Sequence, residues 1–360
     1  MTPEFWRGKR VLVTGHTGFK GAWACEWLLR LGAVPSGLAL EAEENSLFAH
    51  LELDKRMASV TADLCDQDAL ADLLSAEKPD VVLHMAAQSL VRRSYREPYE
   101  TFRTNVAGTA ALLHMISQAP SVRSVVVVTS DKAYENKEWQ WGYRETDRLG
   151  GRDPYSASKG CTELVAASMR ASYFAPGAPN GHPARIGTAR AGNVIGGGDQ
   201  SEDRLIPDII KNCLGPVGQV TIRSPRAIRP WQHVLEPLRG YFMLAEALTS
   251  TGDGFDAGWN FGPDRVDERP VIEVASSLVG RLGRGRIIVK EDPNAPHEAS
   301  HLTLDNSKAR AGLGWRPVLT FEETIEMTAD WYTGMDKGGD AGALCGEQIA
   351  RYVKKSEALA

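Results

Sequence analysis

Through the first half of the chain, short apolar runs of strand length alternate with longer stretches whose apolar positions recur at helical spacing. Arg10–Thr14, Val34–Leu40, Ala58–Ala62, Val81–His84, Val125–Thr129 and Gly187–Arg190 read as strands. Lys20–Leu31, Gln67–Glu77, Thr101–Gln118 and Tyr155–Tyr173 read as helices between them. Near-continuous apolar strands separated by helices predict βαβ units, and hence an α/β fold with a mostly parallel sheet and helices on both faces. After about residue 190 the regularity weakens to short strands at Val220–Ile222 and Ile287–Val289 and helices at Pro237–Leu248, Val271–Gly280 and Phe321–Tyr332. The pattern divides the chain into residues 1–186, with a return segment near 231–250, then a smaller mixed α/β domain over 187–333, and a loosely held C-terminal tail over 334–360.

Composition adds that the chain folds by itself. Of its 360 residues, 42% are hydrophobic and 24% charged, which excludes a disordered chain and a coiled coil. The length suffices for two domains or one large unit without metal or disulfide staples. A net charge of −5 without any lysine or arginine block gives no electrostatic ground for nucleic acid or an anionic membrane, so small molecules are the expected partners. Cys25, Cys65, Cys161, Cys213 and Cys345 are odd in number and scattered, the pattern of reduced thiols in a cytoplasmic protein. MTPEFWRGKR leads directly into the first strand, and no apolar run approaches about 18 residues, so neither a signal peptide nor a membrane span is expected.

The first strand runs into Gly15, His16, Thr17, Gly18, Phe19, Lys20 and Gly21, and a helix follows at once. Glycines there permit close backbone approach, and the free N–H groups of a helix start favour a pyrophosphate, so GxxGxxG in this position predicts a Rossmann-like dinucleotide site. Glu41 ends the second strand, where a carboxylate accepts hydrogen bonds from adenosine ribose hydroxyls. Glu43 and Glu44 add charge that repels a 2′-phosphate, so NAD is expected over NADP, with a solvated loop as the alternative for these glutamates.

Tyr155 and Lys159 share one face of a helix at a spacing of i, i+4. A phenol of ordinary pKa, about 10, is a poor base near neutrality, but a neighbouring ammonium and a cationic nicotinamide both favour the phenolate. The pair follows a Val-rich strand that ends in Thr129, Ser130, Asp131 and Lys132, and in such folds ligands bind at the carboxyl ends of the strands.

These segments resemble a family, the extended short-chain dehydrogenase/reductases that act on nucleotide sugars, over roughly residues 5–333. The likeness runs through GHTGFKG (Gly15–Gly21), HMAAQ (His84–Gln88), TNVAGT (Thr104–Thr109), TSDKAYEN (Thr129–Asn136), WGYRE (Trp141–Glu145) and DPYSASKG (Asp153–Gly160). It continues through RAGNVIGGGD (Arg190–Asp199), DRLIPD (Asp203–Asp208), RPWQHVLEPL (Arg229–Leu238) and WNFGP (Trp259–Pro263). The resemblance implies a dehydratase with tightly bound, recycled NAD, CDP-glucose as substrate, and a homodimer paired through Thr101–Gln118 and Tyr155–Tyr173. Tyr155, supported by Lys159, would take the 4-hydroxyl proton as hydride leaves C4. The resulting ketone acidifies the C5 hydrogen, water departs from C6, and hydride returns there. By the same resemblance Ser130 bonds the 4-oxygen, Asp131 protonates the departing hydroxyl, and Lys132 either removes the C5 proton or positions Asp131. His84, Ala86, Ala87 and Gln88 would line the cofactor pyrophosphate and ribose, and Asp63 and Leu64 the adenine pocket. Asn105 would be a ligand contact or an amide that bends its helix. Asn193, Arg204 and Arg229 would anchor the sugar pyrophosphate, with Ser89, His233 and Glu298 as further substrate contacts.

Two competing patterns remain. His297–His301 spells HExxH, which on a buried helix binds zinc, but little apolar helix surrounds it and no third ligand is evident, so no metal is expected. A 4-epimerase or reductase of the same fold, or a non-catalytic NAD sensor, would share the glycine turn and the Tyr155/Lys159 pair. Asp131–Lys132 beside Ser130 is the discriminating feature, because an epimerase needs no acid for a departing 6-hydroxyl.

Overall fold

Seven strands form one sheet: β1 (Arg10–Thr14), β2 (Val34–Ala39), β3 (Ala58–Thr61), β4 (Val81–His84), β5 (Ser124–Val128), β6 (Arg185–Ala191) and β7 (Gly258–Phe261). Every neighbouring pair is parallel, in the order β7-β6-β5-β4-β1-β2-β3. The structure is a computed structural model that describes residues 1–174, 178, 181–250, 254–290 and 301–359. The strand order reverses where β1 meets β4, with Val11 opposite Val81 and Thr14 opposite His84, and a crevice opens there at the carboxyl ends.

The strand period of two explains both hydrophobic layers. Val11 and Val13 pack with Trp23, Trp27 and Phe242 on one face, and Leu12 packs with Leu70, Leu112 and Ile116 on the other. The main helices are α1 (Phe19–Arg30), α2 (Gln67–Glu77), α3 (Gly108–Ile116), α4 (Pro154–Met169), α5 (Leu205–Leu214), α6 (Leu235–Ser250), α7 (Val271–Leu282), α8 (Phe321–Asp336) and α9 (Ala341–Ala358). Asp153 caps α4 by accepting the Ser156 N–H at 2.9 Å, and Pro154 supplies a preset first residue, which fixes where the Tyr155 face begins. The second lobe is built from two-stranded pieces: Gln219–Ile222 runs parallel to Arg286–Val289, and Ile228–Arg229 antiparallel to Arg269–Pro270.

Two features depart from the sequence pattern. A domain boundary at 186/187 falls inside β6, and β7 joins the main sheet from within the segment assigned to the second domain. Residues 334–359 are also no loose tail. Asp340 caps α9 through the Ala343 N–H, and Cys345, Gln348, Ile349 and Tyr352 bury one stripe of it. Tyr352 donates to the buried Glu236 carboxylate at 2.7 Å, Gln348 Nε2 donates to the Met327 carbonyl at 2.6 Å, and Arg351 pairs with Glu326. Among the described residues, no helix is long and apolar enough to cross a membrane.

Candidate active site

The carboxyl ends of β1, β2, β4, β5 and β6 open into a cleft of about 1260 Å³. That exceeds the roughly 300–1,000 Å³ of a site for one small ligand and leaves room for two.

At one end lies the glycine turn. Gly15 sits at φ +73°, and a Cβ there would come within 2.8 Å of the Ala86 backbone. A Cβ on Gly21 would lie 2.2 Å from the Gly15 carbonyl oxygen, so only glycine lets α1 start this close to β1. Gly18 precedes α1 without capping it through a side chain, which leaves the first amides of the helix to a ligand. Thr17, Phe19 and Lys20 complete this wall, with Asp63 and Leu64 after β3 and Ala86, Ala87 and Gln88 after β4. Desolvation, reinforced by the cations Arg204 and Lys159, pushes Lys20 down to about 7 against the pull of Asp131 and Asp199. A cradle that excludes Cβ atoms and gathers cations fits a dinucleotide pyrophosphate.

Five residues assigned to ligand contact by sequence stand behind the wall or outside it. His16 is buried, its Nε2 2.7 Å from Ser59 Oγ and its ring edge-on to Phe48, so it ties the turn to β3; burial pushes it down to about 4. His84 lies between Thr14 Oγ1 (2.7 Å) and Thr109 Oγ1 (2.9 Å), and burial pushes it down to about 3. Asn105 sits in a widened helical turn at Arg103–Ala107, accepts the Gln88 N–H at 2.8 Å, and donates to the Gln88 carbonyl and Ser158 Oγ. It is thus the helix-bending amide, holding the Gln88 loop to α4. His233 is fully buried against the Trp23 ring, at a centroid distance of 6.0 Å. Glu41 is exposed beyond the end of β2, where Leu40 rather than Glu41 lines the cleft. Glu298 and His297 lie outside the described residues, and His301 is in an extended bridge to Ile228 rather than on a helix.

The chemical groups meet at the centre. Ser130 Oγ donates to Asp131 Oδ1 at 2.9 Å and accepts the Lys132 N–H, which shapes the turn Asp131–Ala133. Burial raises the Asp131 carboxyl above the ordinary range, opposed by Lys132, Ser130 and Arg229, and its Oδ2 has no protein partner. Burial pushes Tyr155 up to about 12, opposed by its hydrogen bond with Ser130 and by Arg204. Lys159 Nζ donates to the Val128 carbonyl at 3.2 Å, and burial lowers it to about 8 against the pull of Glu163. Lys132 is half-buried on the same wall.

The far wall carries Ser89, Asn193, Arg204 and the buried Arg229. Arg204 spans the cleft, 3.4 Å from the buried Asp199 carboxylate and donating to Ser89 Oγ at 3.0 Å. Arg92 and Arg223 also line it, 3.7 and 3.6 Å from Asp203. The sequence reading passed over both arginines and Asp199. Asp199 closes the RAGNVIGGGD segment and was the available signal, whereas the arginines sit in arginine-rich stretches that look like solvated surface.

A family model described as GDP-mannose 4,6 dehydratase matches residues 12–328. A CDP-glucose 4,6-dehydratase of Salmonella typhimurium is 46% identical over 351 residues, 97% of this chain and 98% of that one. A dTDP-glucose 4,6-dehydratase of Xanthomonas campestris is 28% identical, over 89% of this chain and 92% of its own. Among solved structures, a dTDP-glucose 4,6-dehydratase of Streptomyces venezuelae with NAD bound has a TM-score of 0.77 at 25% identity, covering 92% of this chain and 99% of that one. A UDP-glucose 4-epimerase of Thermotoga maritima has a TM-score of 0.76 at 22% identity, over 90% and 99% of the two chains, a likeness of fold alone.

Proposed function

The chain belongs to the GDP-mannose 4,6-dehydratase family, and from that premise we propose that it converts CDP-glucose to CDP-4-dehydro-6-deoxyglucose with NAD recycled in place. The observation that carries this reading is the buried Asp131 carboxyl, with a free oxygen, beside Ser130 and Tyr155 in a cleft large enough for two ligands. The Gly15–Gly21 turn, Asp63, Leu64, Ala86–Gln88 and Lys159 would hold NAD, which when bound accepts hydride from C4 and returns it to C6.

Each protein group then has a defined task. Tyr155 accepts the 4-hydroxyl proton; its burial-raised pKa makes this feasible only once positive charge stands beside it, and Lys159, at about 8, is largely charged at neutral pH. Ser130 holds the 4-oxygen. Asp131, biased toward its protonated form, gives its proton to the departing 6-hydroxyl. Lys132, on the same wall, takes the C5 proton on its side-chain nitrogen, which for this step must carry a free lone pair as the neutral amine. Should Lys132 only position Asp131, a Lys132→Met variant would exchange the C5 hydrogen with solvent at the wild-type rate; the proposal expects that exchange to fall by at least about a hundredfold. Arg204, Arg229 and Asn193 face the two phosphates of the sugar nucleotide.

Two copies pair, in this reading, through the helices at Thr101–Gln118 and Tyr155–Tyr173, where Phe102 and Leu164 are exposed apolar side chains. Five free thiols support a cytoplasmic location. The test is incubation with CDP-glucose and catalytic NAD, followed by mass spectrometry and proton NMR. Loss of one water and a new C6 methyl signal are expected. An unchanged CDP-glucose mass, with conversion of dTDP-, UDP- or GDP-glucose instead, would overturn the assigned base.

A further inference from the structure

Tyr155, Lys159 and Glu163 follow one another at i, i+4 and i+8 on α4, so all three point at the carboxyl end of the sheet. The first two line the cleft and the third lies just beneath it, 4% exposed. Every acceptor position of the Glu163 carboxylate is used. Oε1 accepts from Thr129 Oγ1 and, at 2.8 Å, from Arg190 Nε; Oε2 accepts from Thr188 Oγ1 at 2.6 Å and from Arg190 Nη2 at 2.8 Å. Arg190, equally buried on β6, donates through Nη1 to Tyr134 Oη at 2.6 Å and to the Glu145 carbonyl at 3.2 Å. Tyr134 passes the network on to Asn260 Oδ1 of β7 at 2.7 Å.

This pair therefore touches both sides of the reacting centre. Thr129 stands immediately before Ser130, and Tyr134 immediately after the turn Asp131–Ala133, so the turn is gripped at both ends by groups bonded to Glu163 or Arg190. On the other side the same carboxylate grips the helix that carries Tyr155 and Lys159. Ser158, through Asn105, and Lys159, through the Val128 carbonyl, also tie α4 in place, and the four-point carboxylate clamp adds the link that joins it to the ends of β5 and β6 together. The carboxylate is also the group whose charge opposes the desolvation of Lys159.

Resting on the reading of Tyr155 and Lys159 as the hydride-transfer pair, we propose that Glu163, clamped by Arg190, is a positioning residue that sets α4 against the Ser130–Lys132 turn. Burial of a complete ion pair is weak evidence for stability, since a well-packed apolar pair often replaces one without loss, so a pair this fully bonded beneath the cleft is explained better by what it orients.

Glu163→Gln alone strands the Arg190 charge and could unfold the chain, so the informative variant is Glu163→Gln combined with Arg190→Met, which buries no unpaired charge. Its melting temperature is expected within about 5 °C of wild type. With CDP-glucose, kcat is expected to fall roughly tenfold to a hundredfold while KM changes less than about threefold, because misregister costs the reacting geometry rather than substrate anchoring. The Glu163 charge favours the protonated Lys159, so its loss is expected to move the alkaline fall in kcat toward acid. NAD affinity, measured by calorimetry without sugar, is expected to fall at the same lower pH. A folded double variant with wild-type kcat and unmoved profiles would overturn the proposal. Inert wild-type protein would overturn the functional reading instead, and the NAD-affinity profile would still decide the role of Glu163.

Discussion

Asp131 and Tyr155 are both pushed toward their protonated forms by burial, yet the proposed mechanism uses one as a proton donor and the other as an acceptor. The difference lies in what faces each group, since Asp131 meets a departing hydroxyl and Tyr155 a site where positive charge collects. Asp131→Asn removes only the donated proton. It is predicted to oxidise C4 and then stall, slowing product formation by roughly 10²–10⁴-fold while reduced cofactor builds up in the ultraviolet spectrum. Wild-type turnover by that variant would remove Asp131 from the mechanism. Gly21→Ala puts a Cβ 2.2 Å from the Gly15 carbonyl oxygen, so it must displace the start of α1; NAD affinity, by calorimetry, is predicted to drop at least about tenfold. These glycines were legible because their requirement is local. His16, His84, Asn105 and His233 misled the sequence reading for the complementary reason: a motif identifies a turn, but not which of its side chains face the ligand and which hold the turn from behind.

At the scale of elements, the strands and the helices between them were readable because each buries an apolar face at its own period. The C-terminal helix was not, since its buried stripe of Cys345, Gln348, Ile349 and Tyr352 is narrow, half polar and preceded by a glycine-rich stretch. Its partner in the core is Glu236 on α6, whose carboxylate accepts the Val318 and Leu319 N–H groups at 2.8 and 2.7 Å as well as the Tyr352 hydroxyl. Burial pushes this carboxyl from 4.5 up to about 7, against those hydrogen bonds and Arg239. Between those two values the folded chain holds a proton that the unfolded chain has lost. Stability therefore falls as pH rises through that window and levels off above it. The full excursion corresponds to roughly 3 kcal/mol. Glu236→Gln keeps an acceptor for both amides, and its amide N–H can donate to a turned Tyr352 hydroxyl, so it is predicted to abolish most of this slope in urea titrations. An unchanged slope would assign the pH dependence to other groups.

For the whole molecule, the alternation of strands and helices was enough to predict a parallel sheet, and the glycine turn marked the end of the first strand as a dinucleotide site. The second lobe was less legible. Its strands are two-residue and four-residue pairings such as Ile228–Arg229 with Arg269–Pro270, whose register depends on partners far along the chain. That lobe brings Arg204 over the cleft to Ser89 and sets Arg229 beside Asp131, so in the proposed mechanism substrate anchoring and acid catalysis are coupled by how the two halves meet. In the proposed reaction, hydride leaves one carbon of the sugar and arrives at another without leaving the enzyme. This transfer is tested most directly with CDP-glucose deuterated at C4 and followed by NMR and mass spectrometry. The predicted product has lost one water and carries the deuterium in its C6 methyl group, with no reduced cofactor released; deuterium still at C4 in an inverted sugar, or lost to solvent, would contradict the account.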